Sequence, residues 1–273
     1  MNNSRQGIQV GWTRAAVAAR AGDRCLSVVA LLLIVSLLLF GGYSLWDTAM
    51  TYLGAFSNSD LLKYKPTGEF DDLSLMELHK LNPDVCAWLT VDDTHIDYPV
   101  VQGEDNLEYV NKDVFGEFSF SGTLFLDSRN KRDFSDNYSL IYGHHMDNGA
   151  MFGDLLEFTQ KEYFDTHKTG IVYLLDNTQL PISLFACVEI NSGDSIVYKP
   201  ENQVKDNSSL LAYLKKISVQ YREIEVKETD RIIGLSTCAD AVSNGRVVLF
   251  GRLEGGKTSE SDSQPTMQIE SKK

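Results

Sequence analysis

Between Arg24 and Asp47 the 273-residue chain carries no charged side chain. The run Cys25 to Trp46, dominated by Leu, Val, Ile and Ala, is a poor surface for a water-soluble domain. As a helix it would extend roughly 33 Å, close to the hydrocarbon thickness of a bilayer. It also lacks a good small-x-small cleavage site and ends in Tyr43 and Trp46, aromatics suited to a membrane interface, so a retained anchor is expected over a cleaved signal peptide. Arg5, Arg14, Arg20 and Arg24 precede the run against one acid, Asp23, and the first basic residue after it is Lys63. That asymmetry predicts a cytoplasmic amino terminus and a single-pass type II protein whose remainder is extracytoplasmic.

Basic residues are scarce, 25 against 38 acids for a formal charge of −13, and the first 46 residues hold four of the basic residues but only one of the acids, so the remainder is the more acidic part. An acidic domain of this kind is a poor partner for nucleic acid or other polyanions and is compatible with a cationic amine. Cysteine is sparse too. Of four, Cys25 lies in the apolar run, leaving Cys86, Cys187 and Cys238, which cannot all pair. A disulfide scaffold is thereby excluded, an odd thiol stands out as potentially reactive, and the pairing of Cys86 with Cys187 stays open. The five histidines form no metal-ligand cluster, Asp92, Asp93 and Asp97 read as turn and strand-edge residues, and no internal repeat is visible. No metal or cofactor is expected.

What the chain does have is a succession of short, β-branched segments separated by turn residues. Strands are predicted at 87–91, 95–101, 122–127, 138–142, 170–175 and 179–190, and a final hairpin joins Arg231 to Cys238 with the run starting at Arg246 through an Asn244-Gly245 turn. Helices are predicted over 71–81, 151–158, 161–167 and 207–219, with a helical turn at 105–110 and a helix-compatible stretch at 47–64; Leu210, Leu211, Leu214 and Ile217 form an apolar stripe in the last helix. About eight strands with a few peripheral helices favour a closed or nearly closed β-barrel over a parallel sheet. The expected layout is a cytoplasmic terminus (1–24), an anchor (25–46), a juxtamembrane stalk (47–70), a folded domain (71–253) and a disordered tail (254–273).

Within the hairpin, antiparallel pairing sets Cys238 and Arg246 at one end of the sheet. An adjacent cation favours a thiolate, although a buried inert cysteine beside a solvated arginine is an equally ordinary arrangement. A histidine pair, His144-His145, stands at another strand end.

Taken together, Tyr142-Gly143-His144, Leu235-Ser236-Thr237-Cys238 and the strand-heading Arg246 resemble the sortase family, class B. The likeness extends to 97–103, Asp105-Asn106, Phe125-Leu126-Asp127 and Met151-Phe152-Gly153, and to the helix at 207–219. The resemblance implies an eight-stranded sortase-type β-barrel with peripheral helices. It also implies a membrane-anchored cysteine transpeptidase that cleaves a carboxy-terminal sorting signal of a secreted protein through a thioester. The acyl group then passes to an amine acceptor on a peptidoglycan precursor or a pilin. Carried over by motif, Cys238 is the nucleophile, His144 rather than His145 the acid/base partner, and Arg246 the oxyanion or substrate-carbonyl ligand. Ser236, Thr237, Tyr142 and Asn106 fall at positions near the substrate, and the stretch 194–198 should form a loop over the groove. Ala239 stands where some relatives carry an acid, which leaves the electrostatics of the thiol less defined, and Cys187 reads as core. Two other functional classes fit the residues less well. A papain-like or peptidoglycan-cleaving cysteine hydrolase would open a helix with its nucleophile and have it precede the histidine, the reverse of the order here. A non-catalytic membrane-tethered adhesion or scaffold module would not need Cys238, His144 and Arg246 together.

Overall fold

The computed structural model describes residues 3–56, 59–69, 72–146, 149–238 and 245–255. Asn244 of the expected hairpin turn, Ala239 and the tail beyond Gly255 lie outside them. The chain divides into two units, residues 1–51 and 52–273. Helix α1 (Asn3–Phe56) contains a stretch, Ala16–Met50, that is long and apolar enough to cross a bilayer and is not buried by the protein. The sequence placed the apolar core of this helix at 25–46, and its Leu, Val, Phe and Trp side chains are exposed along the whole interval.

In the second unit, a short helix α2 (Ser59–Leu62) and helix α3 (Ser74–Leu81) precede the strands. Helix α3 starts three residues later than the expected 71 because Asp72 is spent outside it. Its carboxylate accepts the Ser74 amide at 2.8 Å and, through the other oxygen, both the amide and the hydroxyl of Thr67. An acceptor at the free amides of a helix start is a standard stop signal.

Among the described residues nine strands follow: β1 (Val85–Val91), β2 (Asp97–Val101), β3 (Leu124–Leu126), β4 (Tyr138–Gly143), β5 (Thr169–Leu174), β6 (Gln179–Asn191), β7 (Gln220–Tyr221), β8 (Arg231–Cys238) and β9 (Gly245–Leu253). They are hydrogen-bonded in the order β5-β1-β2-β3-β4-β8-β9-β6-β7, and β5 also pairs with β6. That last pairing closes eight strands into a barrel, with the two-residue β7 appended outside β6. Closure removes the exposed sheet edges that an open sheet of this length would carry. Most pairs are antiparallel, but β2–β3 and β4–β8 are parallel.

The period-two pattern explains the two sides of the wall. Ala87, Leu89 and Val91 of β1, Ile233 and Leu235 of β8, and Val247 and Leu249 of β9 point to one cluster that draws on all eight barrel strands and is therefore the interior. Their alternates, Ile232, Val248 and Phe250, pack outward under helix α5 (Ser208–Ile217), where Leu210 and Leu214 are fully buried. On the other flank Trp88 and Val85 pack beneath Leu75 and Leu78 of α3. One end of the interior is plugged by Phe152, Leu155 and Phe158, together with Phe164 of helix α4 (Lys161–Thr166). The expected helix over 151–158 is a 3₁₀ helix, Gly153–Thr159, because Met151 has a φ of 54° and cannot belong to a right-handed helix. The expected helical turn at 105–110 is a set of turns in which Asp105 Oδ1 accepts the Leu107 and Glu108 amides.

Cys86 and Cys187 are both free and buried in the interior cluster. Burial pushes each thiol up to about 12. Iodoacetamide at pH 8 should therefore leave both unlabelled in the native protein and modify both once urea unfolds it, which peptide mass mapping reads directly; labelling of either in the native state would contradict the packing. Phe158→Ala should cost about 3–5 kcal/mol by chemical denaturation, since it opens a cavity at the plug of the barrel.

Candidate functional site

Three strands meet at one rim of the barrel, and each brings one of the expected catalytic residues. Strands β4 and β8 run parallel with Gly143 opposite Thr237, so His144, the next residue after β4, and Cys238, the last residue of β8, leave the wall at the same level. Strand β9 runs back along β8 with Cys238 opposite Arg246. On its other side Arg246 lies opposite Ile190 of β6, whose end feeds the connection 192–207. The rim thus reads, from strand to strand, His144, Cys238, Arg246 and the start of that connection, with about 4.8 Å between neighbouring strands.

The surroundings of His144 are specific. Its Nε2–H donates to the Val110 carbonyl at 2.7 Å, and its own carbonyl accepts the Phe152 amide at 3.0 Å. With Nε2 carrying the proton of the neutral ring, the lone pair stays on Nδ1, which is the nitrogen able to exchange a proton with a neighbouring group. Val110 is held in turn by tight packing at Gly122, whose φ of 59° and lack of a side chain let it approach the backbone; a Cβ there would clash with the Val110 carbonyl oxygen. Gly143 is similarly crowded, with Leu124 and Phe152 occupying the space a methyl would need. His145, the alternative in the pair, has its backbone bridged to Met151. The half-buried Arg246 uses one guanidinium nitrogen on the Gly245 carbonyl at 2.8 Å.

The expected substrate-side residues gather around one buried acid. Asp127, fully buried just after β3, accepts the Tyr142 hydroxyl at 2.9 Å and the Asn106 amide at 3.0 Å on Oδ2. Asn106 also accepts the Ser128 amide at 2.8 Å, so its side chain fixes residues 127 and 128. Arg129 closes on Asp127 as a fork, Nε to Oδ1 at 2.8 Å and Nη2 to Oδ2 at 2.7 Å. Burial raises the Asp127 carboxyl, but the Arg129 and Tyr142 hydrogen bonds outweigh it and hold the group below the usual carboxylate range. The Tyr142 hydroxyl is pushed well up by burial and by the negative charge of Asp127. Ser236 shares a 3.0 Å hydrogen bond with the Tyr198 hydroxyl, and the Tyr142 and Tyr198 rings stack at 6.3 Å. Both Ser236 and Thr237 are buried, with 2% and 1% of their surface exposed, so they line the wall behind the rim.

Reasoning from sequence assigned no role to Arg129 or the Val110 carbonyl, included Asp127 only as a residue of the family likeness, and placed Tyr198 in the 194–198 stretch without naming its contacts. The pair Asp127-x-Arg129 at a strand end was a visible signal, since a carboxylate and a guanidinium two residues apart invite a fork; the carbonyl of Val110 had none, because any residue supplies one. The expected loop at 194–198 does sit here. Asp194 Oδ1 accepts the amides of Ile196 and Val197, and Tyr213 of α5 donates to its Oδ2 at 2.6 Å. Among the described residues no group of three or more His, Cys, Asp or Glu side chains could hold a metal ion.

Comparison with known proteins agrees with this architecture. The family model of the sortase domain matches residues 89–254. Sortase B of Listeria monocytogenes is 32% identical over 236 residues, covering 81% of this chain and 94% of the relative. The crystal structure of a class B sortase from Streptococcus pyogenes involved in pilus biogenesis superposes with a TM-score of 0.62 at 46% identity, over 66% of this chain and 97% of that one. Sortase B from the type II pilus of Streptococcus pneumoniae gives 0.54 at 36% identity, over 65% of this chain and 96% of that one. With a closed eight-stranded barrel, a matching domain and relatives of this similarity, the chain belongs to the sortase family of cysteine transpeptidases, in class B.

Proposed function

We propose that this protein is a membrane-anchored transpeptidase in which Cys238, His144 and Arg246 do the chemistry. The observation that carries the reading is the strand register at the rim, Gly143 opposite Thr237 and Cys238 opposite Arg246. In the first half-reaction the Cys238 thiolate attacks the scissile carbonyl carbon of a sorting signal. Arg246 stabilises the negative charge that develops on the carbonyl oxygen, and the imidazolium of His144 gives its Nδ1 proton to the departing amine as the C–N bond breaks. The product is a thioester on Cys238. In the second half-reaction an acceptor amine attacks that thioester, its surplus proton passes to His144, and the thiolate leaves, so that the enzyme is restored and one amide has replaced another.

Acceptor and leaving amine exchange protons with the same nitrogen and so use the same side of Cys238, the side of His144. Oxyanion stabilisation belongs to the opposite side, where Arg246 lies. The acceptor is a primary amine of a peptidoglycan precursor or of a pilin lysine, and the 46% identity with a class B sortase involved in pilus biogenesis favours the lysine. The apolar stretch Ala16–Met50 supports anchoring in the membrane. The arginine excess ahead of it supports a cytoplasmic amino terminus and an extracytoplasmic catalytic domain. Ser236, Thr237, Tyr142 and Asn106 belong to the wall near the sorting signal, Tyr142 and Asn106 acting through Asp127 and Ser236 through Tyr198.

Incubating the detergent-solubilised chain with a quenched library of sorting-signal peptides, with and without a lysine-containing acceptor peptide, tests this reading. Cleavage should require Cys238, and Cys238→Ala should abolish both cleavage and the trapped thioester seen by intact mass. Arg246→Ala should lower kcat by roughly 10²–10³, the scale of one oxyanion donor. Full activity in either variant would refute the corresponding role.

A further inference from the structure

The connection 192–207 leaves β6 at the rim beside Arg246 and returns to α5. Its two ends are fastened independently. Tyr213 of α5 holds Asp194 near the start, and Asn137 Nδ2 donates to the Gln203 and Val204 carbonyls near the end, at 3.0 and 2.9 Å. Between those anchors the loop passes over the wall formed by Tyr142 and Ser236, and Arg129 reaches it there. While its Nε and Nη2 grip Asp127, Nη2 also donates to the Tyr198 carbonyl at 2.9 Å and Nη1 to Glu201 at 2.9 Å. The same Tyr198 meets Ser236 through its hydroxyl and Tyr142 through its ring.

One guanidinium therefore connects a fully buried acid, the strand that leads into His144, the strand that ends in Cys238 and the middle of the loop. Arginine suits this arrangement because its planar fork engages a carboxylate with two parallel hydrogen bonds while leaving donors for further acceptors. A lysine in its place could neutralise Asp127 but could not fork onto it and hold Tyr198 and Glu201 as well. Asp127 is the fixed end: its carboxylate is pinned from the barrel by Tyr142 and Asn106, so a guanidinium forked on it has its remaining donors directed at the loop.

We propose that Asp127 and Arg129 form a latch that holds the 192–207 loop down on the rim, and that Arg129 is thereby a positioning residue that sets the affinity for the sorting signal without taking part in bond making. The inference rests on the transpeptidase reading for its kinetic consequence only; the latch itself is a statement about the loop. A latched loop has its backbone hydrogen bonds protected and presents a preformed groove wall, whereas an unlatched one must be ordered by the bound peptide, which then binds more weakly.

The test compares the solubilised full chain with Arg129→Lys and, as a milder variant that leaves Asp127 paired, Glu201→Ala. Hydrogen–deuterium exchange is followed by mass spectrometry over 192–204 and over β4 and β8, and steady-state kinetics use the quenched sorting peptide. Arg129→Lys should speed exchange in the loop roughly 10-fold with the strands unchanged, and raise KM roughly 10-fold with kcat within about twofold. Glu201→Ala should move both in the same direction, by roughly two- to threefold. The rate at which iodoacetamide alkylates Cys238 should stay at its wild-type value. Unchanged loop exchange in both variants would overturn the latch. Faster exchange spread through β4 and β8, with kcat and alkylation falling together, would overturn it in favour of a general structural role. Faster loop exchange with an unaltered KM would keep the loop contact and refute its part in substrate affinity. A wild-type chain that cleaves no sorting peptide would count against the transpeptidase reading, while the exchange measurement would still decide the latch.

Discussion

The parallel pairing of β4 with β8 is the contact on which the site depends. Parallel neighbours cannot be joined by a tight turn, and here the chain travels through β5, β6, α5 and β7 before β8 returns to lie beside β4. Because both strands point the same way, their carboxy-terminal ends finish together, and a residue just past one becomes the neighbour of the last residue of the other. An antiparallel pairing would have sent His144 and Cys238 to opposite ends of the barrel. The β8–β9 hairpin then brings Arg246 back to the same rim at no topological cost. Barrel closure through β5 and β6 makes this arrangement rigid, since a one-residue slip at any pair would turn interior side chains outward around the ring.

Much of this was legible in the chain because strands advertise themselves with period two. The hairpin 231–253, the strand ending at Gly143 and the amphipathic helix after Asn207 all followed from local patterns, and the order of histidine, cysteine and arginine led to the family. What was not legible depends on distant partners. Asp127 closes a predicted strand and Arg129 lies in the polar stretch after it, and the meaning of the pair comes from Tyr198 and Glu201, which join it through the fold. Asn106 was expected near the substrate; its amide is committed to Asp127 and Ser128, and nothing local in Asp105-Asn106 distinguishes those two situations. Helix starts were missed where one side chain or one dihedral decided them, as with Asp72 ahead of α3 and the left-handed Met151 ahead of the 3₁₀ helix.

The buried charge at Asp127 is an unusual place to put an anchor. A carboxylate with no exposed surface is costly unless every oxygen is engaged, and here each accepts from Arg129 while Oδ2 also takes the Tyr142 hydroxyl and the Asn106 amide. Such a cluster has little tolerance for alternative geometries. That property is of more use than net stability in a site where strand ends, a loop and a peptide must be brought into register.

The hydrogen bond from His144 to the Val110 carbonyl has a different kind of consequence. In many acid/base pairs the residue orienting the imidazole is a carboxylate, and a single substitution removes it. Here the orienting group belongs to the main chain and survives replacement of the Val110 side chain by any other. The segment around it exposes Leu107, Phe115, Phe118 and Phe120 to solvent. So long as Gly122 keeps the backbone in place, substitution at those positions leaves the main-chain acceptor of His144 where it is, so the apolar outer surface is decoupled from the orientation of the imidazole.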